Sequence, residues 1–117
     1  MGDSKDKKLL TLLVQGESTG SIHTALSLMR SGVALDMDVQ AFFTSQGLKW
    51  LNRTNVSKEL TLLRDTKKTG GLSIYVCSES MAQLGIKKDD LVDEVDKVAG
   101  FVHFLSVAID ADVSLAI

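Results

Sequence analysis

The chain predicts a single α/β domain with a parallel sheet and helices on both of its faces. Two observations carry this. Short apolar runs, Leu9–Val14, Val39–Phe43, Leu72–Cys77 and Val113–Ile117, alternate with stretches of helical spacing. The first run, LLTLLV, is almost continuously apolar, as expected of a strand covered on both sides. With 117 residues, no proline, and no repeat, low-complexity tract or interdomain linker, the chain suits one domain with a real core.

Each element has its local reason. After the first strand, Gln15–Gly20 reads as a loop, and Ser21 as the N-cap of a helix from about Ile22 to Leu35. Ile22, Ala25, Leu26, Met29 and Val33 recur at helical spacing in it. Val39–Phe43 is the second strand, and Thr44 or Ser45 caps a short helix carrying Leu48, Trp50 and Leu51. A linking segment follows, with Leu60, Leu62 and Leu63 on a further helical turn, closed by Thr69-Gly70-Gly71. Leu72–Cys77 is the third strand, Ser78–Leu84 a short helix, and Gly85 its C-cap. Glu94–Ala99 alternates as a strand does, although a helix through it is also open. Gly100 opens a helix with Phe101, Val102, Phe104, Leu105 and Ala108, and Val113–Ile117 is the last strand.

Composition narrows the function classes. A net charge of −2 gives no basic surface for nucleic acid or an anionic membrane, so neither partner is expected. The first eight residues are polar and charged, unlike a signal peptide, and no apolar run approaches the length of a membrane span. The start matches the myristoylation pattern at Gly2 only in part, since Asp6 stands where Ser or Thr is wanted. One cysteine cannot form an intramolecular disulfide, and the expected location is cytoplasmic.

Cys77 is the candidate reactive residue. A thiol at a strand-to-helix junction sits where helix N–H groups and the helix dipole favour the thiolate, the form that reacts. The competing reading is a small buried hydrophobe. Ligands in parallel sheets bind beyond the carboxyl ends of the strands, which selects three loops. They hold Gly16, Glu17 and Ser18; Thr44 and Ser45; and Cys77, Ser78, Glu79 and Ser80, the candidate ligand-binding residues. A thiosulfate, a sulfite or a persulfide would suit helix N-termini gathered at that edge.

The segment Tyr75–Leu91, with its Cys-x-x-Ser-Met-x-x-x-Gly-Ile pattern, resembles the cysteine segment of DsrE/DsrF-like proteins. Ala25–Thr44 and the ending Ala111–Ile117 resemble the small DsrE-like branch often labelled peroxiredoxin, so the likeness runs from about Lys8 onward. The resemblance implies a three-layer α/β/α domain over residues 8–117 with a five-stranded parallel sheet, preceded by a flexible stretch over 1–7. It also implies homo- or hetero-oligomers, often trimers or hexamers, and a homo-oligomer is expected here. In such proteins the thiol takes sulfane sulfur as a persulfide, or a thiosulfonate, and passes it to a TusA-like partner or another thiol protein. Cys77 is the only position onto which that role carries. The peroxiredoxin label is a name, since a peroxidase cycle here would need an outside thiol. Many relatives have a small residue before the cysteine and Met two after it, where this chain has Val76 and Glu79. A Glu79 carboxylate facing the sulfur would raise the thiol pKa; facing solvent, it is an ordinary first-turn acid.

Other residues weigh less. His23 could approach the site but reads as a surface histidine, and His103 as a packed or interface one. Two distant histidines and one cysteine have no metal-site spacing. Gly16-x-x-x-Gly20 has neither Rossmann spacing nor the end of a P-loop, so no cofactor is expected. Trp50 and the four phenylalanines read mostly as core; Phe101 and Phe104, if exposed, would point to an oligomer contact. Lys67-Lys68 and Lys87-Lys88 read as solvated turns. The expected function is thus sulfur acceptance and donation through Cys77. The alternatives are a non-catalytic module binding a small anion or a protein, with an inert cysteine, and a redox sensor forming mixed disulfides.

Overall fold

The computed structural model describes residues 7–117. Gly2 and most of the expected flexible stretch lie outside the described residues; Lys7 lies inside them, 3.4 Å from the Asp36 carboxylate. Five strands, β1 (Leu9–Val14), β2 (Asp38–Phe43), β3 (Leu72–Cys77), β4 (Lys97–Ala99) and β5 (Val113–Ala116), form one sheet in the order β4-β3-β2-β1-β5. All four pairings are parallel. Between the strands run α1 (Thr19–Ala34), α2 (Lys58–Lys68), α3 (Ser78–Leu84) and α4 (Phe101–Asp110), with 3-10 segments at Ser45–Leu51 and Lys88–Asp90.

Register divides the side chains between two faces. Leu12 lies opposite Ala41 and Leu115, and Ala41 opposite Ile74. Their row faces α1 and α2. There Leu12, Val14, Phe43, Ile74 and Val76 meet Ile22, Ala25, Leu26 and Met29 of α1 and Leu60 and Leu63 of α2, all buried. Strand alternation puts Thr11, Gln40, Phe42, Tyr75 and Cys77 on the other face. Helix α4 covers that face, through Phe101 and Phe104 on Phe42 (ring centroids 5.7 and 5.4 Å) and His103 on Tyr75 (4.8 Å). No residue of α4 is buried.

Several expectations need correction. The N-cap of α1 is Ser18, not Ser21; its hydroxyl accepts from the Ser21 N–H at 3.1 Å, so the helix starts about one turn earlier. The segment read as a linker with one helical turn is an eleven-residue helix, α2. Ser57 caps it by accepting from the Leu60 N–H at 3.2 Å, and Glu59 and Lys67-Lys68 match its dipole at either end. Its apolar stripe is narrow, which hid it among polar residues. Of Glu94–Ala99, only Lys97–Ala99 is strand. Asp96 anchors it instead, its carboxylate accepting from the Ile74 N–H at 2.7 Å and Lys67 Nζ at 2.6 Å. Lys67 is therefore a tie between α2 and the sheet rather than a solvated turn residue.

Candidate functional site

Cys77 ends β3 and is the N-cap of α3. Its thiol is free and fully buried, at 0% exposure. Ala99 of β4 lies opposite it, while Phe43 pairs with Val76. Thr44, the next residue after Phe43, therefore falls on the other side of Cys77. Ser80 follows one helical turn later. The Thr44 and Ser80 hydroxyls are buried and 2.9 Å apart. Ser80 Oγ also accepts from the Ser45 N–H at 2.8 Å. Ser45 has φ 53°, a left-handed backbone that strains a residue other than glycine by about 1–3 kcal/mol. The bond to Ser80 helps hold it there.

Burial pushes the Cys77 thiol pKa up, because it disfavours the charged form. The Ser80 N–H, the Ser80 and Thr44 hydroxyls and the Glu79 N–H act against it and leave the thiol below its ordinary value. Dipoles at the start of α3, with two hydroxyls, outweigh desolvation. The Glu79 side chain is exposed, so the first-turn acid faces solvent and the backbone N–H faces inward. The site can hold an anionic sulfur, with small fixed donors in place of water.

The three expected loops lie side by side, but only two reach Cys77. Gly47 packs against the end of β1 so closely that a Cβ there would sit 2.4 Å from the Val14 carbonyl oxygen, and its N–H donates to Gln15 O at 3.2 Å. This fills the space between the first two loops. Gly16 donates its N–H to Ile117 O at 3.2 Å, Glu17 pairs with Lys49 at 3.2 Å, and Ser18 is spent on capping α1. Those three residues are each engaged elsewhere, whereas Thr44 and Ser80 act on Cys77 and Ser45 is tied to Ser80. Ser78 is exposed beside the turn into α4, where a Cβ on Gly100 would lie 3.9 Å from its hydroxyl.

One neighbour escaped the sequence reading. Ala99 stands beside Cys77 on β4, yet the Phe101 ring lies on Phe42 of β2, two strands further along. The start of α4 therefore passes over the end of β3, on the face that carries Cys77. Only the strand order, which is not legible in the chain, could have revealed this roof. His23 is elsewhere; its Nε2 is 2.7 Å from Glu59 of α2. His103 Nε2 is buried without a partner among the described residues. Grooves of about 450 Å³ between α1 and α2, and about 640 Å³ along the loop before β4, are lined by other residues than Cys77. Among the described residues no cluster of His, Cys, Asp and Glu could hold a metal ion, and no helix is long and apolar enough to cross a membrane.

The DsrE/DsrF-like family model matches residues 7–115, and Cys77 sits within the match. The chain belongs to the DsrE/DsrF-like family. The ychN protein of E. coli has a similar structure, with a TM-score of 0.73 and 17% identity, covering 94% of this chain and 99% of that one. MTH1491 of Methanobacterium thermoautotrophicum, a protein of unknown function, gives 0.75 and 18%, covering 96% and 100%. At such identities these likenesses speak for the fold alone: a parallel α/β sheet of the DsrE type. No curated protein sequence matches the chain. The five-stranded parallel sheet expected of the family is present.

Proposed function

We propose that this DsrE/DsrF-like protein is a sulfur carrier that accepts sulfane sulfur on Cys77 and gives it to an acceptor thiol. What supports the reading is the bonded Thr44–Ser80 hydroxyl pair and the start of α3 at Cys77, which together lower the thiol pKa from its ordinary value in spite of burial. The Cys77 thiolate attacks the outer sulfur of a donor persulfide, R–S–SH. The donor S–S bond breaks, R–S⁻ leaves, and Cys77 becomes a persulfide. An acceptor thiolate, from a TusA-like carrier or another thiol protein, attacks the terminal sulfur. The bond between the two sulfurs of Cys77 persulfide breaks, and the thiolate returns. Both steps exchange one S–S bond for another, so no outside oxidant or reductant is consumed and no cofactor is needed. A cytoplasmic setting, where thiols stay reduced, suits this chemistry.

Intact mass after incubation with polysulfide, and separately with thiosulfate or tetrathionate, tests the reading on wild type and Cys77→Ser. A reducible adduct of one or more sulfur atoms, or of a thiosulfonate, is expected on wild type alone. No adduct on folded protein whose thiol titrates after denaturation would refute it. The complete burial of Cys77 favours a second reading, a binding module with an inert cysteine, and that same outcome would select it.

We also infer that the chain works as a homo-oligomer joined through α4 and β5. Val102, Leu105 and Ile109 of α4 and Val113 and Leu115 of β5 are exposed on this single chain. The α4 residues lie on the Phe42 side of the sheet and Val113 and Leu115 in the Leu10–Leu12 row on the other, so the contact wraps the β5 edge. Sedimentation of wild type and of Leu105→Glu measures it; a wild type that stays monomeric at high concentration would rule it out.

A further inference from the structure

We propose that Thr44 and Ser80 act as one shared hydroxyl donor that positions the Cys77 sulfur anion, Ser80 being the residue that locks the pair in place. This deepens the sulfur-carrier reading and rests on it. The argument is a count of protons. Each hydroxyl has one proton to give. The bond between the two, at 2.9 Å, uses one of them whichever oxygen donates. Ser80 Oγ accepts a further bond, from the Ser45 N–H at 2.8 Å. One hydroxyl proton is left over. Both residues are about nineteen-twentieths buried, with Thr44 at 5% and Ser80 at 4% exposure, so bulk solvent has little access to it. A buried donor needs an acceptor. Thr44 flanks Cys77 across the sheet, Ser80 follows it by one turn, and both hydroxyls act on the thiol, so we assign the spare proton to the sulfur.

The direction of the pair can reverse without loss. If Thr44 donates to Ser80, Ser80 donates to the sulfur; if Ser80 donates to Thr44, Thr44 does. The sulfur therefore keeps one hydroxyl donor in either arrangement. The same donor can follow the charge when it moves out to the terminal sulfur of a persulfide. The Ser45 bond fixes Ser80 from the far side and ties the strained turn after β2 to the start of α3.

The test is a double-mutant cycle on the thiol pKa, read from the pH dependence of iodoacetamide alkylation. It uses wild type, Thr44→Val, Ser80→Ala and the double variant, with Thr44→Ser as the conservative control. Each single variant leaves one hydroxyl proton for the sulfur, so each is expected to move the midpoint by less than half the shift of the double variant, Ser80→Ala more than Thr44→Val because it also frees the Ser45 turn. The double variant removes both and is expected to raise the midpoint by about one to two pH units, the size of a lost hydrogen bond to a charged group. Thr44→Ser should match wild type. Single shifts that sum to the double would mean two independent donors, and a double variant with the wild-type midpoint would mean none; either overturns the proposal. Should the double variant not fold, NMR of the wild type decides. A slowly exchanging hydroxyl proton of Thr44 or Ser80 that shifts as Cys77 ionises supports the pair, and hydroxyl protons indifferent to that titration refute it. Sulfur loading from polysulfide is measured alongside. A wild type that fails to load but keeps the non-additive pattern would remove the carrier reading and leave the hydroxyl pair, while loading without the pattern would do the reverse.

Discussion

On the α1–α2 face of the sheet, alternate residues of three central strands are apolar and sealed: Leu12, Val14, Ala41, Phe43, Ile74 and Val76 have no exposure at all. On the α4 face, Phe42 is the large buried apolar side chain, and its neighbours are Thr11, Gln40, Tyr75 and Cys77. The helix above them has no buried residue. A parallel sheet is stable only with both faces covered. The first face carries the buried core; the second holds the candidate thiol and the exposed apolar residues of α4. Cys77 lies where the two regimes meet, buried by the fold yet roofed by its least anchored helix.

The contrast can be broken, and the largest effect should come from the sealed face. Leu12→Ala is expected to destabilise the protein by about 2–5 kcal/mol, because the cavity has rigid walls on every side. Urea unfolding measures it, and a loss under about 1 kcal/mol would mean that this face is looser than its burial implies. Next is the cap of α2, the helix that seals that face. Ser57→Ala should cost about 1 kcal/mol, read as a lower urea midpoint at unchanged slope.

On the α4 face, Leu105→Ala should change the stability of the single chain by no more than about 0.5 kcal/mol, since the side chain is already exposed. It should nevertheless weaken self-association in sedimentation. A large fall in monomer stability would place Leu105 in the core instead. The smallest effect is a pH dependence on the sealed side. The hydrogen bond from His23 holds the Glu59 carboxyl below its ordinary pKa, against a smaller opposing push from burial. A carboxyl depressed in the folded state adds stability above its unfolded pKa and loses it as pH falls through the folded value. Glu59→Gln should therefore flatten the acid limb of the stability curve below the ordinary carboxylate range. An acid limb identical to wild type would show that the pair contributes nothing.

How much of this was legible varied with the range of the forces involved. Leu9–Val14, Leu72–Cys77 and the helix closed by Gly85 were readable because periodicity and caps act over a few residues. Gly85 indeed takes the left-handed conformation, with φ 67°. α2 was missed as a full helix because its buried stripe rests on Leu60, Leu63 and Thr66 among charged neighbours. β4 was half-read because three residues give too little pattern to count. At the site, Cys77 and its place at a helix start were visible from local order alone. That Thr44 and Ser80 would bond to each other, while Ser18 turned away to cap α1, was not, since no local rule pairs residues thirty-six apart.

The sequence by itself determined that this chain would alternate strands and helices, where most of them would begin, and that its one thiol would end a strand and start a helix. These follow from backbone propensities and from apolar spacing, which neighbours in the chain settle among themselves. Tertiary structure alone decided which strands lie side by side, and so which loops reach Cys77. It paired the Thr44 and Ser80 hydroxyls, gave Glu59 to His23, carried α4 across β3, and left one face of the sheet thinly covered. Those outcomes depend on strand order and helix placement, set by the burial of the whole apolar surface at once and therefore by no single stretch of the chain.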